Sequence, residues 1–213
     1  MMLTRKAMAG LAICLGLWGG AAWAAPEDDY KEGLLAQSKD DLQTAMTRFK
    51  RAAEAGHLLG MVALGTILDL AEENDAAIVW LLKAAEAGEP SGMERLGEML
   101  IQGEGGKNRE KEGLAWIEKG AGLKYPPAMV VLAKILLSGK SYAPVDTDRA
   151  MQLLQGAAEI GHVPAIKELV RIYRNGEAGV KADPAQAQAW EAKLPSAAET
   201  KTKAGTRKKG DKP

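Results

Sequence analysis

The chain has almost no cysteine. Of its 213 residues the one cysteine is Cys14, inside an apolar N-terminal stretch. A lipid-attachment signal wants a small residue just ahead of the cysteine, and Ile13 stands there instead. Beyond that stretch no disulfide can form, so the fold must be held by packing alone. Histidine is equally scarce: His57 and His162 are the only two, and neither belongs to an H-E-x-x-H pattern. With no C-x-x-C pair either, no metal and no cofactor are expected. The five serines (Ser38, Ser91, Ser138, Ser141 and Ser196) have no lysine three positions on and no G-x-S-x-G frame, so no nucleophile motif is present. Gly139-Lys140-Ser141 ends like a phosphate loop, but Lys134 stands where that loop needs its first glycine. The glycine-rich stretch 103–107 reads as a turn. The carboxylates Glu27-Asp28-Asp29 and Glu72-Glu73 read as exposed and without a partner base, so no catalytic residue is expected. Strand signals are missing as well, since β-branched residues never alternate in a run.

Charge of either sign is not in excess: 28 basic residues balance 28 acidic ones. Their distribution is uneven. Arg5 and Lys6 precede the uncharged apolar run from Ala7 to Gly20, and Ala22-Trp23-Ala24 forms an A-x-A site ahead of Pro26. This is the composition of a secretory signal peptide over residues 1–24, with cleavage expected after Ala24. From Pro195 the tail holds Lys201, Lys203, Arg207, Lys208, Lys209 and Lys212 against Glu199 and Asp211, and residues 195–213 are expected to be disordered. The middle, residues 25–194, carries 20 basic and 26 acidic residues, a net of −6. Nucleic acid is therefore not an expected partner. Membrane contact is expected only through the basic tail.

What the middle does have is repetition. A-A-E-A-G-H at Ala52–His57 returns as A-A-E-A-G-E at Ala84–Glu89, as G-A-G-L-K-Y at Gly120–Tyr125 and as A-A-E-I-G-H at Ala157–His162. The spacings of 32, 36 and 37 residues are those of stacked supersecondary units, each unable to bury its apolar face alone. After each phrase comes a small-residue stripe at helical offsets: Gly60, Leu64-Gly65, Leu68, Ala71; Gly92, Leu96-Gly97, Leu100, Gly103; Ala128, Leu132-Ala133, Leu136, Gly139; Ala165, Leu169-Val170, Tyr173, Gly176. Gly65 and Gly97 mark places where a neighbouring helix leaves no room for a side chain. Gly103, Gly139 and Gly176 suit helix C-caps. Before each phrase lies a second helix, with Trp80, Trp116 and Trp190 at one repeat position, read as core packers. Asp41, Asp75, Asp148 and Asp183 stand just ahead of these helices as expected N-caps.

The motif A-x-x-x-L-G-x-x-Y-x-x-G, followed by an A-x-x-W helix ending in K-A-A-E-x-G-H, resembles the Sel-1-like repeat (SLR) family, a relative of the tetratricopeptide repeats. The resemblance runs from about Tyr30 to Leu194, with Tyr30 to Gly33 matching the end of a first half-repeat. Leu68, Leu100 and Leu136 replace the family tyrosine, and Lys124 replaces the turn glycine. The resemblance implies an all-α, right-handed αα superhelix of about five helix–turn–helix hairpins over residues 25–194. It also implies a concave side lined by the first helix of each hairpin.

Placed on that side by spacing are Val62, Thr66 and Asp69, then Glu94 and Glu98, then Val130 and Lys134, then Lys167, Arg171 and Arg174. The sign runs from acidic to basic along the stack. The expected function is a periplasmic or secreted scaffold that grips an envelope protein or extended peptide on this face, without catalysis. The alternative is an envelope enzyme or a peptidoglycan- or β-lactam-binding protein of the same family. His57 and His162, at equivalent repeat positions, read as packing residues of the inter-hairpin turns.

Overall fold

The computed structural model describes residues 25–104 and 106–195. The expected signal peptide and nearly all of the basic tail lie outside the described residues. Among the described residues ten helices follow one another: α1 Pro26–Gln37, α2 Leu42–Glu54, α3 Leu58–Leu70, α4 Asn74–Glu86, α5 Pro90–Gln102, α6 Glu110–Gly122, α7 Pro126–Ser138, α8 Thr147–Glu159, α9 Val163–Asn175 and α10 Pro184–Glu191. No strand occurs among the described residues, and the only β feature is a bridge between Lys140 and Ala143. Each odd-numbered helix packs most closely on the even-numbered one after it, giving five antiparallel hairpins. Odd helices also touch the next odd helix, as α3 does α5 and α5 does α7. They therefore form the inner layer of an all-α repeat superhelix, and the even helices form the outer layer.

The repeated phrase is a helix stop. The amide of its last residue donates to the carbonyl five residues back: His57 to Ala52, Glu89 to Ala84, Tyr125 to Gly120 and His162 to Ala157, at 3.0, 3.0, 3.2 and 3.1 Å. This six-to-one bond needs a left-handed residue just before it. Gly56, Gly88 and Gly161 supply that at φ +88°, +90° and +83°, and Lys124 is held there at +58°. The alanines of the phrase serve the next helix. A Cβ on Gly60 would lie 2.8 Å from Ala52 Cβ, and one on Gly92 2.8 Å from Ala84 Cβ. Small residues on both sides let α2 meet α3, and α4 meet α5, nearly backbone to backbone.

Within each hairpin the contact is asymmetric, small against large. A Cβ on Gly33, Gly65 or Gly97 would come within 2.5, 2.7 and 2.5 Å of Phe49, Leu81 and Ile117. Gly33 thus belongs in the middle of α1, in register with Gly65 and Gly97, and not at the close of a half-repeat as its Y-x-x-G setting suggested. The large partners are fully buried, whereas Trp80 and Trp116, one residue earlier, are only half-buried. Their outer faces are covered by Lys83 and Lys119, whose Nζ atoms lie 4.1 and 3.9 Å from the ring centroids; Lys193 sits 3.9 Å from buried Trp190 in the same way. Trp80 and Trp116 are lids on the hairpin groove, sandwiched between core and lysine.

Two of the four expected N-caps are elsewhere. Asp41 and Asp183 accept from the Thr44 and Gln186 amides at 3.1 and 3.0 Å, but α8 is capped by Asp146, which accepts from the Arg149 amide at 3.0 Å. Asp148 lies in the first turn of α8, and Asp75 lies in the first turn of α4 behind Glu73. There they oppose the positive end of the helix dipole without capping an amide. The Glu27–Asp29 run is also not unpartnered. Asp29 is buried, at 4% exposure, between Arg48 and Arg51 of α2 at 2.9 and 3.3 Å, while Glu27 meets Lys31 and His57. Because α10 is short, its cap carries a large share of its stability. Asp183→Ala is expected to cost about 1 kcal/mol and to lower Tm by roughly 2–4 °C, read by thermal circular dichroism.

Candidate functional site

The inner layer places one side chain from each odd helix at the same level. Counting from Gly33, Gly65 and Gly97, one level holds Tyr30, Val62, Glu94, Val130 and Lys167, and the level one turn on holds Leu34, Thr66, Glu98, Lys134 and Arg171. All eight polar residues expected at a binding face lie in this layer. Their exposure differs from what spacing alone implies. Lys134, Lys167, Arg171 and Arg174 are exposed, and Thr66, Asp69 and Glu98 are half-buried, but Glu94 is 9% exposed and Val130 is buried as well. Contacts between successive odd helices accompany the burial of Glu94 on α5 and Val130 on α7, whereas Val62 on α3 is half-buried and Lys167 on α9 is exposed.

Between α3 and α5 the layer is acidic. A narrow cavity of about 30 Å³ is lined by Thr66, Asp69, Arg95, Glu98, Met99 and Gln102. Thr66 Oγ1 donates to the Val62 carbonyl at 2.9 Å, which leaves Asp69, Glu98 and Arg95 as the charged walls. Arg95 approaches Glu94 at 3.8 Å and Glu98 at 3.7 Å. These are loose pairs, too long to neutralise two carboxylates. Burial pushes the Glu94 carboxyl up to about 7, the negative charge of Glu98 adds to this, and Arg95 opposes it. Glu104, just after the Gly103 cap, is raised in the same direction by burial and by Asp69. Tyr125, at the start of α7, is raised by burial and then by the charges of Glu94 and Glu89. Spacing did not reveal Arg95, Glu104 or Tyr125. Glu104 and Tyr125 lie outside the helical stripe, and Arg95 points sideways along α5.

At the C-terminal end the inner-layer positions themselves are basic, and carboxylates flank them. Lys167, Arg171 and Arg174 line a groove of about 330 Å³ together with Val170, Glu191 and Leu194. Arg171 pairs with Glu168 at 2.7 Å and also with Glu177, and Arg174 pairs with Glu191 at 2.8 Å. Lys167 has no ion pair among the described residues. The structure thus brings Lys167, Arg171 and Arg174 together, brings Thr66, Asp69, Glu94 and Glu98 together, and leaves Lys134 on α7 between the two groups.

The histidines stand apart from both groups. His57 caps α3: its Nδ1 accepts from the Gly60 amide at 2.9 Å, so the ring proton sits on Nε2, 2.8 Å from Glu27. The ring stacks on Tyr30 at 4.7 Å between centroids. His162 starts α9 without a side-chain cap, and burial lowers its pKa. Both sit in inter-hairpin turns. No group of three or more histidine, cysteine or carboxylate side chains is placed to hold a metal ion among the described residues. No helix among them is long and apolar enough to cross a membrane.

Residues 30–57, 68–89, 90–125, 126–162 and 171–190 match the Sel1 repeat family model, one match per hairpin. The chain belongs to the Sel1 repeat family. The crystal structure of a Sel1 repeat protein from Oxalobacter formigenes is similar, with TM-score 0.73 and 23% identity over 80% of this chain and 71% of that one. So is c5321, a protective antigen of uropathogenic Escherichia coli strains with an SLR fold, at TM-score 0.64 and 27% identity. That match covers 78% of this Sel1 repeat chain but only 37% of c5321. The immunity protein Pa5087 from Pseudomonas aeruginosa follows at TM-score 0.58 and 22% identity, over 78% of this chain and 63% of that one. The first and third of these share the fold with this chain, and nothing further follows from them.

Proposed function

We propose that this Sel1 repeat protein is a non-catalytic scaffold, exported by its N-terminal segment, whose inner layer binds an extended peptide or the edge of another protein. One observation carries the reading: the inner layer changes sign along the array, from Asp69, Glu94 and Glu98 on α3 and α5 to Lys167, Arg171 and Arg174 on α9. A surface ordered in this way selects a ligand of opposite order and fixes its direction. Crosslinking and mass spectrometry in native cells should recover a partner joined at the odd helices. Lys167→Gln, Arg171→Gln and Arg174→Gln together should then weaken that partner by about tenfold or more, the loss of one or two desolvated charge contacts. Tm should move by no more than about 3 °C, because exposed ion pairs contribute little. Unchanged affinity, or crosslinks confined to the even helices, would retire the proposal. Export is checked by sequencing the exported product, expected to begin at Ala25.

A further inference from the structure

The described residues end at Pro195, just after α10, and α10 packs on α9, the helix that carries the basic groove. Eighteen residues follow, 196–213. Their charges come in a definite order. Glu199 is met first, while the basic residues begin at Lys201 and are densest at Arg207-Lys208-Lys209. The inner layer, followed inward from the same end, has the complementary order: basic at Lys167, Arg171 and Arg174, then acidic at Glu94, Glu98, Glu104 and Asp69. In the acidic stretch Asp69, Glu98 and Glu104 have Arg95 as their near guanidinium, which reaches Glu98 at 3.7 Å and the buried Glu94 at 3.8 Å, while Asp69 and Glu104 face each other. With 26 acidic against 20 basic residues over 25–194, the array leaves an acidic surplus for a basic segment to meet.

Length allows the two to meet. Neighbouring packed helices are about 8–10 Å apart, so α9 to α5 is on the order of 20 Å and α9 to α3 about 30 Å. The 12 residues from Pro195 to Arg207 span up to about 40 Å when extended. A lysine-rich segment tethered this close has an effective concentration of the order of mM, so individually weak contacts are enough to hold it. We infer that residues 196–213 dock on the inner layer of their own chain, with Arg207, Lys208 and Lys209 against Asp69, Glu98 and Glu104 between α3 and α5, as a built-in competitor for that face. This goes beyond the scaffold proposal and needs no partner to be tested.

The test uses the full chain carrying Cys14→Ser and Thr206→Cys, so that one nitroxide marks the tail. The amide signals of Asp69, Glu94 and Glu98 should be lost to paramagnetic broadening at about 0.01 M salt, where charges act over about 30 Å, and should return at about 1 M, where the range is about 3 Å. They should return equally when Arg207, Lys208 and Lys209 are changed to Gln, a change that leaves residues 25–195 untouched. Sharp α3 and α5 signals at low salt would overturn the inference, and so would broadening spread evenly over the even helices. Broadening of an isotope-labelled chain by the nitroxide on a separate unlabelled chain would overturn it as well, by assigning the contact to a second copy. If the inner layer captures a partner while the tail leaves it sharp, this inference alone falls and the scaffold proposal stands.

Discussion

Gly97→Ala is expected to lower Tm by roughly 4–8 °C, although alanine is the better helix former. The helical preference favours alanine by about 1 kcal/mol. Against it stands the crossing of α5 and α6. A Cβ on Gly97 would lie 2.5 Å from Ile117 Cγ1 and 2.7 Å from the Gly113 carbonyl oxygen, and a Cβ on Gly113 would lie 2.6 Å from the Gly97 carbonyl oxygen. Ile117 can adjust its rotamer, but the two carbonyls are backbone and can move only with their helices. Overpacking of this kind costs about 1–3 kcal/mol, and contact with main chain places Gly97 at the upper end. The net loss is about 2 kcal/mol, at roughly 2–4 °C per kcal/mol for a chain of this size. Gly97→Phe should prevent hairpin α5–α6 from forming. The control is Gly122→Ala at the end of α6, where a Cβ meets nothing within 4 Å; it should leave Tm unchanged or raise it slightly. Equal behaviour of the two alanine variants in thermal melts would contradict the packing described here.

Glu94→Gln is expected to raise stability at pH 8 and to leave it nearly unchanged at pH 4.5. The Glu94 carboxyl titrates near 7 in the folded chain, against an ordinary value of 4.5. Between those values the native state holds a proton that the unfolded state has released. Stability therefore falls as pH rises through that window, and it is lowest once Glu94 is charged. The groups around it are Glu98 and Arg95 on its own helix and Tyr125 at the start of α7. Glutamine fills the same space without the buried charge, so above pH 7 the variant should gain about 1–3 kcal/mol. Denaturant titrations at pH 4.5, 6 and 8 read this directly. A wild-type stability that rises with pH from 5 to 7.5, or a Gln variant with the same slope as wild type, would contradict the assignment.

The fold was readable because a repeat states its own register. The A-A-E-x-G phrase and the small-residue stripe are two halves of one contact, Ala52 on Gly60 and Ala84 on Gly92, so each recurrence in sequence is a recurrence of the same packing. What could not be read depends on a neighbour in space. Glu94 and Lys167 occupy the same level of the inner layer, and nothing local says that one is covered and the other open. Trp80 and Trp116 look like core residues by type and position, yet Leu81 and Ile117 take the core and leave the rings to lysines. Asp146 and Asp148 are both plausible caps by composition, and only the backbone angles of Asp146 select between them. The order of charge along the inner layer was visible from spacing. Its compensation by Arg95, Glu168, Glu177 and Glu191 was not.

The residues that open α3, α5, α7 and α9 have nearly the same backbone: φ −74°, −76°, −76° and −72° with ψ 113°, 113°, 113° and 102° at His57, Glu89, Tyr125 and His162. Every junction is therefore interchangeable with every other. Excising residues 90–125 and joining Glu89 to Pro126 would reproduce a seam already present at Tyr125, and duplicating them would do the same. The gene for such a chain can grow or shrink by whole modules with no new loop to invent, leaving only side-chain fit between the newly adjoining layers to be refined.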